Sequence, residues 1–174
     1  MPAIGEIARE AAGLPQPRLL LRHMEAEHGR VSAEAAMAIG HGAVVATISN
    51  SSIVARVLRL ARPTLVQVHV SDLSDEGYDL AGTLAGEGIA TAAVPVASDS
   101  PPADLAVVGC DALFDDGGFV NRRGTAVLVA TMAPRPTLVL GDRWRHVPGP
   151  TPPGWPEADA FEVVPPRDSV RFFY

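Results

Sequence analysis

The stretch that decides the fold is AVVATISNSSIVARVLRLARPTLVQVHV, residues 43–70. It contains two short apolar runs, residues 43–47 and 64–70, that are rich in valine and bounded by polar residues. Such runs are typical of strands buried on both faces of a sheet. Between them, residues 52–61 carry apolar side chains at helical spacing. A strand, a helix and a second strand in this order predict a parallel crossover unit.

The same alternation of strand and helix continues beyond this stretch. Strand-like runs follow at residues 89–95, 105–110 and 136–141, and helical patterns at residues 77–88 and 124–133. The connection ASDSPPAD, residues 97–104, is short, so we expect one turn in it at most. We therefore predict an α/β, Rossmann-like fold with a mostly parallel sheet flanked by helices.

Proline dominates the chain after Gly141, where seven prolines precede residue 167. Because proline has no backbone N–H to give to a central strand, this composition predicts a surface strap with one edge strand, residues 160–164. Trp144 and Trp155 lie in this region and are predicted to pack the strap onto the domain.

Residues 1–40 are rich in alanine and carry charges of both signs. Their apolar positions predict two short amphipathic helices. Pro15 and Pro17 bound the first helix, and Gly29 followed by Ser32 marks its end and the N-cap of the second. The predicted organisation is therefore a short N-terminal helical segment, residues 1–40, before one α/β domain, residues 41–174.

Composition narrows the classes of function. The net charge of −6 at pH 7 argues against binding of polynucleotides, which requires clustered basic charge. No apolar run reaches the roughly 20 residues that span a bilayer. The start MPAIGEIARE lacks the basic and apolar parts of a signal peptide. We expect a cytoplasmic protein with neither a nucleic-acid nor a membrane partner.

The inventory of reactive side chains is short. All 14 basic residues are arginine, which excludes Schiff-base and P-loop chemistry that needs lysine. The single cysteine, Cys110, can form neither an internal disulfide nor a thiolate zinc site, and it is predicted to be a small core residue. The histidines have no metal-binding spacing and are predicted to lie at the surface or at helix ends: His23, His28, His41, His69 and His146. We predict no metal and no cofactor.

The loop after the first predicted strand is one candidate site. In an open parallel sheet, ligands bind beyond the carboxyl ends of the strands. There the chain runs through Ser49, Asn50, Ser51 and Ser52 into the predicted helix. These polar side chains either cap the helix N–H groups or share those groups with a bound phosphate, and both interpretations remain open.

A second candidate site follows the strand at residues 105–110. Asp111 stands at the end of that strand, and the next helix opens with further polar residues: Asn121, Arg122, Arg123, Gly124 and Thr125. Two guanidinium groups beside a helix N-terminus predict an anion site. The alternative is structural: a hairpin-like turn at residues 115–118, with Asp111 paired to an arginine.

At these residues the chain resembles a known protein family. The motifs are AAMAIGHGAVVATISNSSIVARVL, EGYDLAGTLAGEGI and VGCDALFDDGGFVNRRGTAVLVA, and the resemblance extends from about Ala36 to Phe161. The family joins the alpha, beta and delta subunits of translation initiation factor 2B with methylthioribose-1-phosphate isomerase and ribose-1,5-bisphosphate isomerase. The matching part is the C-terminal, Rossmann-like domain of that family.

The resemblance implies roles for individual residues. In the isomerases, a cysteine in the first loop and the aspartate of the third motif move hydrogen between sugar C1 and C2. Asp111 matches that aspartate, and Asn121 with Arg122 matches an asparagine and a lysine that hold the substrate. The cysteine position is Ser49, whose hydroxyl is a much weaker acid than a thiol of pKa about 8.5.

Two further departures concern the surroundings of the site. Family members carry a Ser-Arg-Pro element where this chain has Ser71, Asp72 and Leu73. The N-terminal helical domain, which helps to enclose the substrate in the isomerases, is reduced to about forty residues. A dimer partner could supply the missing wall.

The leading hypothesis is a factor 2B-related domain that forms a homodimer and binds a phosphorylated small metabolite, a sugar phosphate or a nucleotide. The loss of the thiol argues against an enzyme. The first alternative is an aldose-ketose isomerase for a phosphorylated pentose, with Asp111 as acid and base and Ser49 or a water in place of the thiol. The second is an oligomeric assembly module with a vestigial cleft. Both ligand hypotheses require Asp111 to face Asn121 and Arg122 across an open hollow.

Overall fold

In the computed structural model, residues 17–70, 75–95, 102–153 and 160–174 are described. The helices are α1 (Pro17–Ile39), α2 (Ser52–Ala61), α3 (Glu76–Gly86) and α4 (Thr125–Met132), with a 3-10 turn at Arg143–Arg145. The strands are β1 (Val44–Ile48), β2 (Leu65–Val70), β3 (Thr91–Pro95), β4 (Leu105–Gly109), β5 (Ala112–Phe114), β6 (Phe119–Arg122), β7 (Thr137–Leu140), β8 (His146–Val147), β9 (Phe161–Val164) and β10 (Val170–Phe173).

Six strands form a parallel sheet in the order β10-β7-β4-β1-β2-β3, and every pair in it is parallel. The chain moves outward from β1 through β2 to β3 and then crosses to β4 on the other side of β1. The strand order therefore reverses between β1 and β4, which is where doubly wound folds bind their ligands. The predicted Rossmann-like α/β fold is confirmed.

Apolar side chains bury both faces of the parallel sheet. On one face, Val45, Val66 and Val107 pack against α1, α2 and α3 through residues such as Leu58 and Leu84. On the other face, Val108 and Val139 pack against α4 and the second sheet. Because strands covered on both sides need no polar face, the valine-rich runs of the sequence have no strict alternation.

The second sheet is small and has the order β8-β5-β6-β9. Its centre is the antiparallel hairpin β5–β6, so a hairpin turn is indeed present at residues 115–118. In that turn, the backbone N–H of Gly118 donates to Asp116 Oδ1 at 3.0 Å. The predicted edge strand is present as β9, and it pairs with β6. This sheet places the end of β6 beside the carboxyl end of β4.

The N-terminal segment is one continuous helix from Pro17 and not two, so that prediction was wrong. Glycine inside a helix costs about 1 kcal/mol, which packing can offset. Val31 and Ala35 are fully buried one turn apart on the face of α1 that meets α2, and the Ser32 hydroxyl donates to the carbonyl of His28 at 2.6 Å. Gly29 and Ser32 are therefore interior residues of the helix. Residues 1–16, with Pro15, lie outside the described residues.

Other predictions also fall outside the described ranges. These are the departure at Ser71, Asp72 and Leu73, most of the connection 97–104 in which a turn was expected, and the packing of Trp155. Trp144, by contrast, is buried at the start of the strap, as predicted. No helix in the described part of the chain is long and apolar enough to cross a bilayer.

His69 corrects the expectation that the histidines lie at the surface or at helix ends, because it is only 3% exposed. It lies on β2, an inner strand between β1 and β3, and residues 66–70 of this strand are all buried whichever face of the sheet they point to. Burial disfavours the charged imidazolium and lowers the pKa of His69. His23 and His41 are exposed, as predicted.

We expect His69 to make the folded state sensitive to acid. The unfolded chain takes up a proton as the pH falls through the ordinary histidine pKa of about 6.5, whereas the folded chain resists it until a lower pH. Stability is therefore lost on acidification, with a slope of at most about 1.4 kcal/mol per pH unit from this group. Urea unfolding at pH 7.5, 6.5 and 5.5 should show a shallower loss for His69→Gln than for wild type, and equal slopes would contradict this.

Candidate functional site

A polar cavity of about 210 Å³ lies at the carboxyl edge of the parallel sheet, beyond β1, β4 and β7. The described residues that line it are His28, Ser49, Asn50, Ser51, Ser52, Ile53, Gly109, Cys110, Asp111, Asn121, Arg122, Leu140, Gly141, Asp142 and Arg145. The cavity thus sits at the reversal of strand order, and it brings together segments far apart in sequence.

The loop after β1 forms one wall of the cavity. Ser49 has a φ of 61°, a left-handed conformation that is uncommon for a residue with a side chain. Ser51 is the N-cap of α2, yet its hydroxyl makes no capping hydrogen bond to the first turn of that helix, all of which is described. Of the two interpretations left open by the sequence, this geometry favours N–H groups that are available to a ligand.

Gly109 lets this loop approach the end of β4. A Cβ atom at position 109 would lie 3.0 Å from Ser51 Oγ and 3.3 Å from Ser51 Cβ. Both distances are shorter than ordinary van der Waals contact, so a Cβ atom here would require Ser51 to shift by a few tenths of an ångström.

Asp111 stands at the mouth of the cavity and its side chain is 44% exposed. Arg145 Nη1 donates to Asp111 Oδ1 at 3.0 Å and to the carbonyl of Cys110 at 2.6 Å. An arginine partner was one of the sequence expectations for Asp111, and the partner comes from the strap. Asp111 remains open to the cavity beside this ion pair.

Asn121 and Arg122, at the end of β6, also line the cavity. Asn121 is buried, and its Nδ2 donates to Thr125 Oγ1 at 3.0 Å, while that hydroxyl donates to the carbonyl of Arg122 at 2.6 Å. Arg122 donates through Nη2 to Glu76 Oε1 at 2.8 Å, and its guanidinium lies 4.5 Å from the centre of the Phe161 ring. Two contacts therefore fix the position of the Arg122 side chain.

The three residues that follow Arg122 in the sequence lie next to the cavity wall. Arg123, Gly124 and Thr125 are not among the described residues that line the cavity. Gly124 is the N-cap of α4 with a φ of 99°, and the buried Thr125 braces Asn121. A direct contact of these three residues with a ligand stays a prediction.

Three titratable residues that line the cavity were not expected there from the sequence: His28, Asp142 and Arg145. His28 comes from α1, and its Nε2 lies 3.0 Å from Asp142 Oδ2. Asp142 is only 7% exposed, and its Oδ2 also lies 3.6 Å from Arg145 Nε. Asp142 follows the predicted strand at residues 136–141 just as Asp111 follows its own strand, so the same rule could have found it. No local signal points to His28, because only the packing of α1 brings it to the sheet edge.

Cys110 is a core residue, as predicted, although it also touches the cavity. Burial raises the pKa of its thiol to about 12. The sulfur of Cys110 packs closely against Gly141, which follows the neighbouring strand β7. A Cβ atom at position 141 would lie only 2.8 Å from Sγ. Cys110 therefore cannot take over the acid–base role of a thiol at the position of Ser49.

We expect Cys110 to resist alkylation in the folded protein. The thiolate is the reactive species, and a thiol with a pKa of about 12 is almost entirely protonated at pH 8. Iodoacetamide at pH 8 should label the native chain at least a hundredfold more slowly than the chain in urea, since exposure restores a pKa of about 8.5. Mass spectrometry gives both rates, and rapid native labelling would show an accessible thiolate.

Within the described ranges, no three residues among histidine, cysteine, aspartate and glutamate are grouped so as to hold a metal ion. The polar groups of the cavity are instead guanidinium groups, carboxylates, hydroxyls and amides, which recognise organic anions and hydroxyl groups.

A parallel sheet whose strand order reverses at its centre, flanked by helices, defines the class of Rossmann-like α/β domains. Within this class, the sequence pattern of the Initiation factor 2 subunit family matches residues 10–139. The chain therefore belongs to that family, and the resemblance inferred from its motifs is confirmed. A comparison with curated proteins finds no significant match.

Solved structures agree with this assignment. Translation initiation factor eIF-2B from Pyrococcus horikoshii OT3 is 27% identical with a TM-score of 0.72, over 88% of this chain and 64% of that one. The tetrameric eIF2B-beta2-delta2 complex from C. thermophilum matches with 24% identity and a TM-score of 0.66, over 74% of this chain and 44% of that one. The delta subunit from Chaetomium thermophilum matches with 23% identity and a TM-score of 0.65, over 79% and 51%. The last two show the shared fold alone, and this chain spans between 44% and 64% of the length of these three structures.

Proposed function

We propose that this initiation factor 2B-related chain binds a phosphorylated small metabolite, a sugar phosphate or a nucleotide, in the cavity at the carboxyl edge of its sheet. The observation that carries the proposal is the meeting of two separate motifs at one cavity. The loop Ser49 to Ser52 lies on one side, and Asp111, Asn121 and Arg122 lie on the other.

The N-terminus of α2 and Arg122 supply what a phosphate needs. The first N–H groups of a helix have no partner inside the helix, and the helix dipole favours negative charge there. The uncapped Ser51 hydroxyl adds a further donor beside them. Arg122 contributes a full positive charge in a planar fork that matches phosphate oxygens.

A ligand must compete with Glu76 for Arg122. The two side chains are each about one third exposed, so their ion pair is partly screened by solvent and its net contribution is of order 1 kcal/mol or less. A phosphate that also engages helix N–H groups makes several charge-assisted hydrogen bonds, which are stronger than this pair. The Arg122–Glu76 contact therefore positions the guanidinium without blocking it.

Isothermal titration calorimetry tests the proposal. We expect heat of binding with at least one compound in a series of sugar phosphates and nucleoside monophosphates, and none with the corresponding unphosphorylated compounds. The absence of any heat of binding with every phosphorylated compound, at high protein concentration, would contradict the proposal.

An isomerase activity on a phosphorylated pentose is a second candidate, favoured by the presence of Asp111 and Ser49 at the same cavity. Asp111 would move the proton between C1 and C2, with Ser49 or a water as its counterpart. Incubation with methylthioribose-1-phosphate or ribose-1,5-bisphosphate tests for ketose formation. Asp111→Asn should abolish any activity and Ser49→Cys should raise it, and the absence of ketose from wild type would remove this candidate.

We also propose that the chain forms a homo-oligomer, with a dimer as the simplest case. The support is that one solved relative is described as a tetrameric complex. Light scattering coupled to gel filtration measures the mass in solution. A stable oligomer that binds none of the phosphorylated compounds would instead favour an assembly module. A monomer at high protein concentration would contradict the proposed homo-oligomer.

A further inference from the structure

The cavity has an acidic wall on the side of β7. Asp142 follows that strand, is almost fully buried, and accepts hydrogen bonds from the backbone N–H of Trp144 at 3.0 Å and from His28 Nε2 at 3.0 Å. Asp111 follows the neighbouring strand β4. One guanidinium, that of Arg145, lies between these two carboxylates, 3.0 Å from Asp111 and 3.6 Å from Asp142. Its single charge is shared by two acids.

The opposite wall is made of donors. Ser51 and Ser52 start α2 on the side of β1, and Arg122 reaches the same region because its partner Glu76 starts α3, which follows β2. Along the sheet edge, Asp142 follows β7, Asp111 follows β4 and the serine loop follows β1, in that order. The backbone of Arg122 lies on β6, which pairs beside Asp111, and its guanidinium extends to Glu76 at the start of α3. The strand β1 is two strands away from β7. Because neighbouring strands are about 4.8 Å apart, Asp142 and the serine loop are separated by about 10 Å.

We infer that this polarity selects a ligand with one phosphate and a hydroxyl-bearing end over a bisphosphate of the same sugar. The inference rests on the proposed function and specifies its ligand. The phosphate lies at the serine loop and Arg122, and the sugar hydroxyls donate to Asp111 and His28. A second phosphate, placed where the sugar hydroxyls bind, would face the carboxylates of Asp111 and Asp142. The guanidinium of Arg145 lies between these two carboxylates, so it leaves no excess positive charge to attract that phosphate.

His28 contributes an acceptor to the hydroxyl end. A carboxylate accepts but does not donate, so Asp142 holds a hydrogen of His28 on Nε2. In the neutral tautomer with that hydrogen, the other ring nitrogen, Nδ1, is an acceptor. A sugar hydroxyl can donate to Nδ1 and to the Asp111 carboxylate, whereas a phosphate dianion offers acceptors only. The N-terminal helix α1 thus supplies a wall of the cavity from within the same chain.

Calorimetry at constant ionic strength with ribose 5-phosphate, ribose-1,5-bisphosphate and inorganic phosphate tests the inference. We expect ribose 5-phosphate to bind about tenfold more tightly than either of the others, which is the effect of one hydrogen bond to a charged group. Equal or tighter binding of the bisphosphate would overturn this inference and leave the proposed function standing. Failure of all phosphorylated compounds to bind would remove both.

Charge-removing variants separate this polarity from a structural effect. Asp111→Asn and Asp142→Asn should each raise the affinity for the bisphosphate about tenfold relative to ribose 5-phosphate, because a repelling charge is gone. The exposed Asp111 gives the safer variant, since Asp142 also holds the 3-10 turn. Asp104→Asn is the matched control, because it removes the same charge at the amino end of β4. An unchanged ratio in both cavity variants would overturn the inference.

A pair of histidine variants tests the hydroxyl contact. In His28→Gln, the amide nitrogen can replace Nε2 towards Asp142, but nothing replaces Nδ1. We expect affinity for ribose 5-phosphate to fall about fivefold, the effect of one neutral hydrogen bond, while inorganic phosphate binds as before. His23→Gln, on the exposed side of α1, should leave both affinities unchanged. Equal losses for both ligands in His28→Gln would show that His28 acts only on the structure.

Discussion

Replacing Arg122 with alanine should lower the affinity of the cavity for the proposed sugar phosphate by roughly 30-fold, which corresponds to about 2 kcal/mol for charge-assisted hydrogen bonds to a phosphate. The expectation follows from geometry. Arg122 lines the cavity, and its guanidinium is held in place by Glu76 and by the ring of Phe161. Arg122→Lys keeps the charge but loses the fork, so it should recover only part of the affinity. Calorimetry with ribose 5-phosphate gives these values.

Arg135 is the matched control for this experiment. It carries the same charge, is exposed just before the amino end of β7, and is not among the described residues of the cavity. Arg135→Ala should therefore change the affinity less than threefold, since only long-range electrostatics is altered. Thermal unfolding of each variant shows whether the fold is intact. An equal effect of the two substitutions would mean that general positive charge, and not the Arg122 contact, attracts the ligand.

Phe119→Ala should lower the free energy of unfolding by about 3–5 kcal/mol, the usual cost of removing a fully buried phenylalanine. Phe119 is fully buried on β6. Its ring meets Phe172 of β10 edge to face, with the centres 5.9 Å apart. The side chain therefore joins the small sheet to the outer part of the parallel sheet, and its loss leaves a cavity between them. Urea unfolding followed by circular dichroism measures the change.

Val127→Ala provides the control for Phe119→Ala. Val127 is also apolar and lies on α4, but nearly half of its surface is exposed. Surface substitutions of this kind usually change stability by at most about 0.5 kcal/mol. A loss below 1 kcal/mol for Phe119→Ala would mean that the two sheets are joined by other contacts.

The sequence is sufficient to predict the elements whose pattern is local. Residues 52–61 were expected to be helical, and α2 has the same bounds. The apolar runs at residues 64–70 and 105–110 became β2 and β4 within a residue or so, because strands buried on both faces carry a continuous apolar signal. Asp111 and the serine loop could be placed at one sheet edge, since parallel strands end on the same side.

What escaped prediction depends on contacts between distant segments. The two helices expected before residue 40 are one, because the packing of α1 on α2 outweighs the cost of Gly29. The same packing brings His28 to the cavity. Arg145 lies in the strap, where proline-rich sequence gave no reason to expect a partner for Asp111. The strand β10 has four residues and pairs with β7 alone. So short an apolar segment has too weak a hydropathy pattern to predict a strand from the sequence.

The floor of the cavity is shaped by a missing side chain. With a hydrogen atom where other residues have Cβ, position 109 allows Ser51 to rest almost directly on the backbone of β4. Alanine at this position would force Ser51, the N-cap of α2, to shift by a few tenths of an ångström. The distance between the start of α2 and the end of β4 is therefore set by a residue that has no side chain.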